Sequence, residues 1–319
     1  MLPPSKTPSI RSPGLELSGG APWAVVAVDL DPIDCHLAGY GIADAPRCDV
    51  IYRRAIPRLL DLFDELRIKG VFFVVARDAR SQSALLREMH ERGHEIASHS
   101  LTHPQPFRGL DDAALARETA TSRAVLAECV GAPVLGFRAP AWDVDPRVLR
   151  AVAAAGYRYD ASVFPSPALA LGRLVADWRG AAGGPIAQMK SCYAWAPRHP
   201  HIVGRNGNSL IEFPIAVTPR LRLPAYHTIS HLIPSALFDR ILGSALRAPQ
   251  PVCYELHAAD ALDLSEDRLD PRISVHPGMQ IPIAAKLAAL RRILHRIARE
   301  RRMVTYRQMI EPSLLEERP

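Results

Sequence analysis

The apolar positions of the chain form short continuous runs that alternate with stretches of helical spacing. Residues 24–28 and 71–75 are unbroken apolar runs, which is typical of parallel strands buried on both faces. Between them, residues 52–66 carry apolar side chains three or four positions apart, and Lys69 and Gly70 follow where a helix would end. This pattern predicts two parallel strands joined by a crossover helix.

The same alternation continues along the chain. It predicts further helices over residues 83–91, 111–129, 145–155, 234–246 and 283–301, and further strands over 95–98, 134–137, 156–160, 209–217, 251–257 and 303–306. Two segments, 31–50 and 164–208, are rich in Gly and Pro and predict loops. The predicted fold class is α/β with a parallel sheet, and the polar residues at so many strand ends favour a barrel.

Length and composition allow a sizeable core, because the chain has 319 residues of which 48% are hydrophobic. We expect one domain over residues 21–312, a flexible Pro- and Ser-rich tail over 1–20, and a short tail over 313–319. Residues 1–20 lack the apolar core of a secretion signal, and no run approaches the roughly 20 apolar residues that span a bilayer. We therefore expect a cytoplasmic protein.

Charge and cysteine content narrow the classes of partner. The formal net charge is +6, but the Arg excess lies near the C-terminus without interleaved aromatic residues, so nucleic acid is not an expected partner. The Arg residues of the predicted helix 283–301 are interpreted as a solvated face, with attraction to an anionic membrane as the alternative. Five cysteines without a CxxC motif predict free thiols in a reducing compartment.

Histidines four residues apart are the first candidates for chemistry, because such side chains are neighbours on a helical turn. The chain has three pairs of this kind, His90/His94, His99/His103 and His227/His231. Gly93 lies between the first two histidines and is interpreted as a helix C-cap followed by a strand, so the two rings would point apart. His99/His103 directly follows the predicted strand 95–98, at the end of a strand where α/β folds carry their ligand-binding loops.

Two acids complete this pattern. Asp29 and Asp31 follow the first strand, and the period of a strand puts them on the same side. Two neutral imidazoles and one carboxylate can hold a divalent cation and leave coordination positions open, so Asp31, His99 and His103 are a candidate metal site. The structural alternatives are hydrogen-bonded core histidines and a pair of turn-forming acids.

Other strand ends also carry polar residues. Arg138 and Trp142 follow the strand 134–137, Asp160 ends the extended segment 156–160, and His257 ends the strand 251–257. As alternatives, Arg138 pairs with a surface acid, His257 is a core histidine, and Asp160 caps a turn. His227 and His231 lie in a mostly apolar segment, 223–233, which is either a lid or lipid-facing rim or a packed loop with incidental histidines.

Taken in order, Asp29-Leu30-Asp31, His99-Ser100-Leu101-Thr102-His103, Arg138-Ala139-Pro140-Ala141-Trp142 and Leu256-His257 resemble the motifs of the NodB-type polysaccharide deacetylase family. The likeness extends from about residue 24 to 310 and implies a distorted (β/α)7 barrel. The common family form has two adjacent acids. The Asp-x-Asp spacing here resembles a cytoplasmic subgroup that includes lipid-linked aminosugar deformylases.

The resemblance also implies roles for individual residues. Asp29 would be the general base, Arg138 its partner, and His257 the general acid, with Asp160 tuning His257. Asp31, His99 and His103 would be the metal ligands. Zinc is favoured, although cobalt, iron and manganese suit the same donor atoms. Trp142 and Pro140 would contact substrate, since aromatic faces stack on sugar rings.

The function implied is hydrolysis of an N-acyl group, acetyl by preference, from an aminosugar in a glycan or glycolipid by a metal-activated water. One alternative is a lipid-linked aminosugar deformylase in peripheral contact with the inner membrane face. A second is a carbohydrate-binding protein without catalytic activity, and a third is a cyclic-amide hydrolase of nitrogen catabolism. The release of free amine from N-acetylated sugars, with and without chelator, separates the binding protein from the enzymes.

Overall fold

The computed structural model describes residues 22–167, 193–205 and 208–311. The predicted tails, residues 1–20 and 313–319, lie outside the described residues, as does the 168–192 part of the predicted loop segment 164–208. None of the helices in the described ranges has the length and apolarity needed to cross a bilayer.

The strands and helices of the described residues follow the predicted alternation. The strands are β1 (Trp23–Leu30), β2 (Val71–Val74), β3 (Glu95–Ser98), β4 (Gly136–Phe137), β5 (Tyr159–Asp160), β6 (His201–Arg205), β7 (Asn208–Glu212), β8 (Val252–His257) and β9 (Arg302–Met303). The helices are α1 (Ile33–Gly39), α2 (Ile56–Glu65), α3 (Ser83–Glu91), α4 (Asp112–Ala116), α5 (Ser122–Val130), α6 (Pro146–Ala154), α7 (Ser235–Leu246), α8 (Ile283–Glu300) and α9 (Tyr306–Ile310).

The strands form one sheet in the order β6-β7-β5-β4-β3-β2-β1-β8, with β9 paired to the start of β1. All neighbouring pairs are parallel except the β6–β7 hairpin. The strand ladder of the described residues does not close into a ring. One backbone hydrogen bond, from the Ala216 N–H to the Cys253 carbonyl at 3.0 Å, joins the segment after β7 to β8. The predicted parallel α/β architecture is confirmed.

The two faces of the curled sheet bury different residues. Val25 and Ala27 of β1 belong to a small core on the enclosed face, whereas Val26 and Val28 pack in the larger core that includes the helices. Helix α9 covers the start of the enclosed face, where the Tyr306 ring centroid lies 4.7–6.3 Å from those of Phe73, Tyr159 and Phe213. The strand starts are therefore filled by aromatic side chains, which leaves the strand ends for polar groups.

Three predictions of local structure are wrong. The segment after Asp31 was predicted as a loop, but Ile33–Gly39 forms α1, which buries Ile33 and Leu37 one turn apart. The segment 164–208 was also predicted as a loop, but His201–Arg205 forms β6, which pairs with β7.

The third wrong prediction is a strand over 303–306, because the strand ends at Met303. Thr305 is the N-cap of helix α9, which begins at Tyr306. The Thr305 hydroxyl accepts a hydrogen bond from the Gln308 N–H, while the Gln308 side chain accepts from the Thr305 N–H.

Gly136 in β4 tests the packing of the enclosed face. A Cβ atom there would lie 1.9 Å from Cζ of Tyr159, whose hydroxyl donates to Glu95 Oε1 at 2.7 Å inside the sheet. We expect Gly136→Ala to lower the free energy of unfolding by about 3 kcal/mol or more, because neither the strand nor the hydrogen-bonded ring can move freely. Gly131→Ala is the matched control. Its Cβ meets no atom within 4 Å, so the change pays only for the left-handed backbone. Equal urea midpoints for the two variants would contradict this account.

His94 gives stability a defined pH dependence. The side chain is 2% exposed, and its Nδ1 accepts the Gly70 N–H at 3.1 Å. Burial lowers the pKa of His94 from 6.5 to about 4, so the unfolded chain binds a proton near pH 6.5 that the folded chain binds only near pH 4. Stability from this group is therefore complete above pH 6.5. It falls by up to about 1.4 kcal/mol per pH unit as the pH drops toward 4.

The urea midpoint, measured from pH 7 to pH 5, should depend more steeply on pH in the wild type than in His94→Gln. The amide oxygen of Gln retains the ability to accept from Gly70 but does not titrate in this range. Identical pH slopes in the two proteins would show that His94 does not carry this dependence.

Candidate metal and catalytic centre

The carboxyl ends of the parallel strands bring the predicted site residues to one edge of the sheet. Asp29 lies in register with His257 of the neighbouring strand β8, and Asp31 follows two residues later on the same side. His99 follows β3, and Arg138 follows β4; the backbone of Arg138 donates to the Ser98 carbonyl at 2.9 Å. Parallel register alone thus gathers residues that are more than 200 positions apart in the chain.

Asp31, His99 and His103 form a compact donor set. Asp31 Oδ1 lies 3.1 Å from His99 Nε2 and 3.4 Å from His103 Nε2. Two ligand atoms of a tetrahedral site with bonds of about 2.0 Å are separated by about 3.3 Å, so these spacings suit a single ion. All three side chains are buried, at 5%, 1% and 7% exposure respectively.

The hydrogen-bonding state of this donor set also fits a metal. Asp31 Oδ1 and His103 Nε2 are buried and find no hydrogen-bond partner in the part of the chain that the structure describes, which is costly for polar atoms. His99 Nδ1 lies 2.8 Å from the Arg138 carbonyl, an acceptor, so Nδ1 carries the proton and Nε2 presents its lone pair to Asp31 in the neutral ring. The residues present therefore fit a divalent metal ion.

The charge balance of the set points the same way. Burial alone would raise the pKa of the Asp31 carboxyl, but the positive charge that His103 and His99 carry when protonated holds it well below its usual range. Burial lowers the pKa of His103 to about 4. Burial alone would also lower the pKa of His99, but the Asp31 carboxylate raises it. An ionised carboxylate and a neutral imidazole are the protonation states that bind metals.

Asp29 and Arg138 form a fully buried ion pair. Arg138 Nη1 donates to Asp29 Oδ1 at 2.6 Å, its Nε donates to the Ala161 carbonyl at 2.8 Å, and the guanidinium lies 4.1 Å from the Phe73 ring centroid. Arg138 is 0% exposed, so it is not half of a surface ion pair. Because Oδ1 is engaged, Oδ2 of Asp29 is the oxygen that faces the donor set, 3.9 Å from His99 Nε2.

His257 lies at the open side of the centre. Its side chain is 13% exposed, and Nε2 lies 3.9 Å from Asp31 Oδ2 and 3.7 Å from Glu255 Oε1. Glu255 is completely buried, and burial followed by the charge of Asp29 raises its pKa well above the usual value. Glu255 was not among the predicted site residues. An acid inside the apolar strand 251–257 is costly to bury and could have indicated a functional residue.

Asp160 has a different role from the one implied by the resemblance. Its Oδ1 accepts the Ser162 N–H at 3.0 Å, and its Oδ2 accepts the Ser162 hydroxyl at 2.9 Å. Ser162 in turn accepts the Ala139 N–H at 2.8 Å, next to Arg138. The carboxylate oxygens beside His257 Nε2 belong to Asp31 and Glu255, so Asp160 holds the backbone after β4 and does not contact the imidazole that it was predicted to tune.

The two residues predicted to contact substrate lie in one turn after β4. Pro140 is buried and begins a 3-10 turn, in which Trp142 has a positive φ of 53°. The partly buried Trp142 ring packs edge-on against Tyr226 at 5.5 Å and lies 6.2 Å from the His257 ring. Trp142 therefore borders the open side of the centre, whereas Pro140 shapes the turn from within.

A further histidine, His36, lies close to Asp31, and His276 packs against it; neither was predicted. His36, on the missed helix α1, has its Nε2 3.9 Å from Asp31 Oδ2, and its ring centroid lies 4.8 Å from that of His276. The Tyr40 hydroxyl contacts His276 Nδ1 at 3.2 Å. Burial lowers the pKa of His36 to about 4, so this wall of the centre is neutral. The loop prediction after Asp31 concealed His36.

Comparison with known proteins finds one family model that matches part of the chain. Residues 46–159 match the family model described as polysaccharide deacetylase. A chitooligosaccharide deacetylase of Sinorhizobium fredii is 35% identical over 90 residues, which cover 26% of this chain and 39% of that protein. The peptidoglycan-N-acetylmuramic acid deacetylase PdaA of Bacillus subtilis is 38% identical over 48 residues, 15% of this chain and 18% of that protein. The chain thus spans about two fifths or less of the length of these curated relatives.

Solved structures share the fold. A Mycobacterium smegmatis protein described as a candidate polysaccharide deacetylase aligns over 95% of this chain and 97% of its own, with a TM-score of 0.56 and 18% identity. The allantoinase PuuE aligns over 92% and 90% of the two chains, with a TM-score of 0.56 and 16% identity. The expected distorted (β/α)7 barrel of the NodB type is confirmed. The family match covers residues 46–159, and the shared barrel fold extends over nearly the whole chain.

Proposed function

We propose that this protein is a metal-dependent hydrolase that removes the acetyl group from the nitrogen of an aminosugar in a glycan. The observation that carries the proposal is the meeting of two units at one mouth of the barrel: the Asp31, His99 and His103 donor set, and the Asp29 carboxylate held by Arg138. The proposal is supported by relatives that act, by name, on chitooligosaccharides and on peptidoglycan N-acetylmuramic acid.

The donor set would hold the metal through Asp31 Oδ1 and the Nε2 atoms of His99 and His103. When bound, a divalent ion supplies Lewis acidity to the amide carbonyl and lowers the pKa of water. Two nitrogens and one oxygen suit zinc, which we propose, and also suit cobalt, iron and manganese.

Asp29 would accept a proton from the attacking water on Oδ2, the oxygen that does not bond Arg138. The Arg138 guanidinium fixes the carboxylate through Oδ1. The salt bridge is 0% and 2% exposed on its two sides, so bulk water does not weaken it. A rigidly held base next to the donor set is what amide hydrolysis requires of this chain.

His257 would donate its Nε2 proton to the leaving amine. Its Nε2 lies 3.9 Å from Asp31 Oδ2 and 3.7 Å from Glu255 Oε1, and its partial exposure opens it to a substrate. Trp142 borders the same opening and offers an apolar ring face to a pyranose.

The alternative of a lipid-linked aminosugar deformylase gains less support from the structure. Exposed Leu221 and Leu232 would suit a lipid surface. However, the Arg face of α8 is largely occupied by internal ion pairs, which are Arg291–Glu65, Arg292–Asp239 and Arg296–Glu300. Paired guanidiniums attract anionic lipid weakly, which argues against strong membrane binding. Peripheral membrane contact and the cytoplasmic location stay predictions.

The proposal is tested by measuring free amine and acetate released from chitin oligomers, muropeptides and N-formylated aminosugars. Release of acetate is expected with zinc-loaded protein; it should be abolished by chelator and restored by added Zn²⁺. Protein that binds zinc and these sugars but releases no acyl group from any of them would overturn the hydrolase proposal in favour of a carbohydrate-binding protein. Faster release of formate than acetate would favour the deformylase.

Asp29→Asn separates the base from the metal site. The change removes the proton acceptor while keeping the shape, and kcat should fall by about 10²–10⁴. Zinc content should stay at the wild-type level, because Asp29 is not in the donor set. Asp44→Asn is the matched control, since this exposed acid forms a surface pair with Arg272 and should leave kcat unchanged. Asp29→Asn turnover within threefold of wild type would rule out the assigned role.

A further inference from the structure

A second group of side chains with metal-ligating atoms lies in the turn 227–231 and in the turn that follows His257. The 3-10 turn His227–His231 places two imidazoles against Asp260, which belongs to the turn directly after His257. One nitrogen from each imidazole and one carboxylate oxygen all lie within 4.8 Å of one another. His227 and Asp260 are 0% exposed, and the His231 side chain is 5% exposed.

The spacing resembles that of the first donor set. Asp260 Oδ1 lies 3.1 Å from His231 Nε2, the same distance as Asp31 Oδ1 to His99 Nε2. The His227 and His231 ring centroids are 5.0 Å apart, compared with 4.9 Å for His99 and His103. Both groups therefore consist of two histidines four residues apart and one buried aspartate.

The state of His227 points to a missing ligand. Its Nδ1 is 2.9 Å from the Tyr254 hydroxyl, whereas its buried Nε2 has no hydrogen-bond partner among the described residues. Such an atom costs about 1–3 kcal/mol when left unsatisfied. A ring that donates from Nδ1 to a neighbouring oxygen and presents Nε2 to an ion is the usual arrangement of a metal-bound histidine.

Neighbouring charges allow a cation here. Lys286 is a positive charge that acts on both His227 and Asp260, and its Nζ donates to the carbonyls of Ala259 and Leu262 at 3.1 and 2.7 Å. The carboxylates of Asp260, Asp263 and Asp267 all act on this ammonium, so its charge is balanced by more than one acid. Burial lowers the pKa of His227 to about 4, which leaves the ring neutral near pH 7.

The geometry points to a second metal site, formed by His227, His231 and Asp260 and separate from the first donor set. We propose that it binds a transition-metal dication of the zinc type, because two imidazoles and one carboxylate suit such ions better than Ca²⁺ or Mg²⁺. The inference rests on these three residues and holds whether or not the proposed hydrolysis is correct.

An ion at this site would link two turns beside His257, and a third segment packs against one of them. Asp260 Oδ2 already accepts the His257 backbone N–H at 2.9 Å, so an ion on Asp260 would link this turn to the 227–231 turn. The segment that packs against His231 is the loop at Gly278, which has a φ of +83°. A Cβ there would lie 2.7 Å from His231 Cδ2, so only glycine leaves room for the imidazole. The site would therefore hold the backbone of His257 in place.

The test is the metal stoichiometry of the folded protein. Chelator-treated protein is dialysed against micromolar ZnCl₂, and bound zinc is measured by elemental analysis. Wild type should bind two ions per chain, and His103→Gln, which disables the first set, should still bind one. His227→Gln and His231→Gln should each bind one. His295→Gln, which changes an exposed histidine on α8, should bind two and controls for surface binding.

The Co²⁺-substituted protein adds a readout independent of activity. His227→Gln should remove one of two sets of visible absorption bands and leave the set that His103→Gln removes. One zinc per chain in wild type and none in His103→Gln would overturn the second site while leaving the first intact. Two ions retained in both His227→Gln and His231→Gln would assign the extra ion to the surface and equally overturn it. Because His103→Gln tests the second site with its residues unchanged, the proposal stays testable even if His227→Gln fails to fold.

Discussion

The buried guanidinium of Arg138 is the charge around which the enclosed end of the barrel is organised. A buried cation is tolerated only when it is paired and hydrogen-bonded, and Arg138 obtains this from Asp29 and the Ala161 carbonyl. Burial raises the pKa of three other buried acids on which Arg138 acts, Asp160, Glu212 and Glu255. The carboxylate that Arg138 holds directly is that of Asp29, which borders the metal donors.

The same charge explains why the turn after β4 is built as it is. Asp160 and Ser162 hold the Ala139 N–H, which fixes the backbone next to Arg138. That turn then directs Trp142 toward the opening beside His257. The residues that hold Arg138 and the residues that border the opening therefore belong to one turn. A change in the packing of either group would alter the geometry of the other.

The three histidine pairs of the chain show how little spacing decides alone. His99/His103 and His227/His231 each face a buried aspartate. In the pair His90/His94, by contrast, His94 uses its Nδ1 to accept the Gly70 N–H. Four-residue spacing makes two imidazoles neighbours, but an ion needs a third donor from another segment. In both candidate sites that donor comes from a distant strand end or turn, and in each site burial lowers the pKa of one imidazole, His103 or His227, to about 4.

Local pattern was sufficient for the alternating elements, because continuous apolar runs and helical spacing depend only on nearby residues, and the polar strand ends followed from them. It failed at α1, because the two apolar residues of this helix lie in a Gly- and Asp-rich segment that was predicted as a loop. His36, which α1 carries, was therefore not predicted. Asp29, Asp31, His99, His103, Arg138 and His257 could be named from the sequence because strand ends meet at one edge of a parallel sheet. Only the tertiary structure decided that Glu255 lies beside His257, that Asp160 bonds Ser162, and that Asp260 meets His227 and His231. Those contacts join segments that no local rule connects, and they depend on how the sheet curls and which loops fold over its edge.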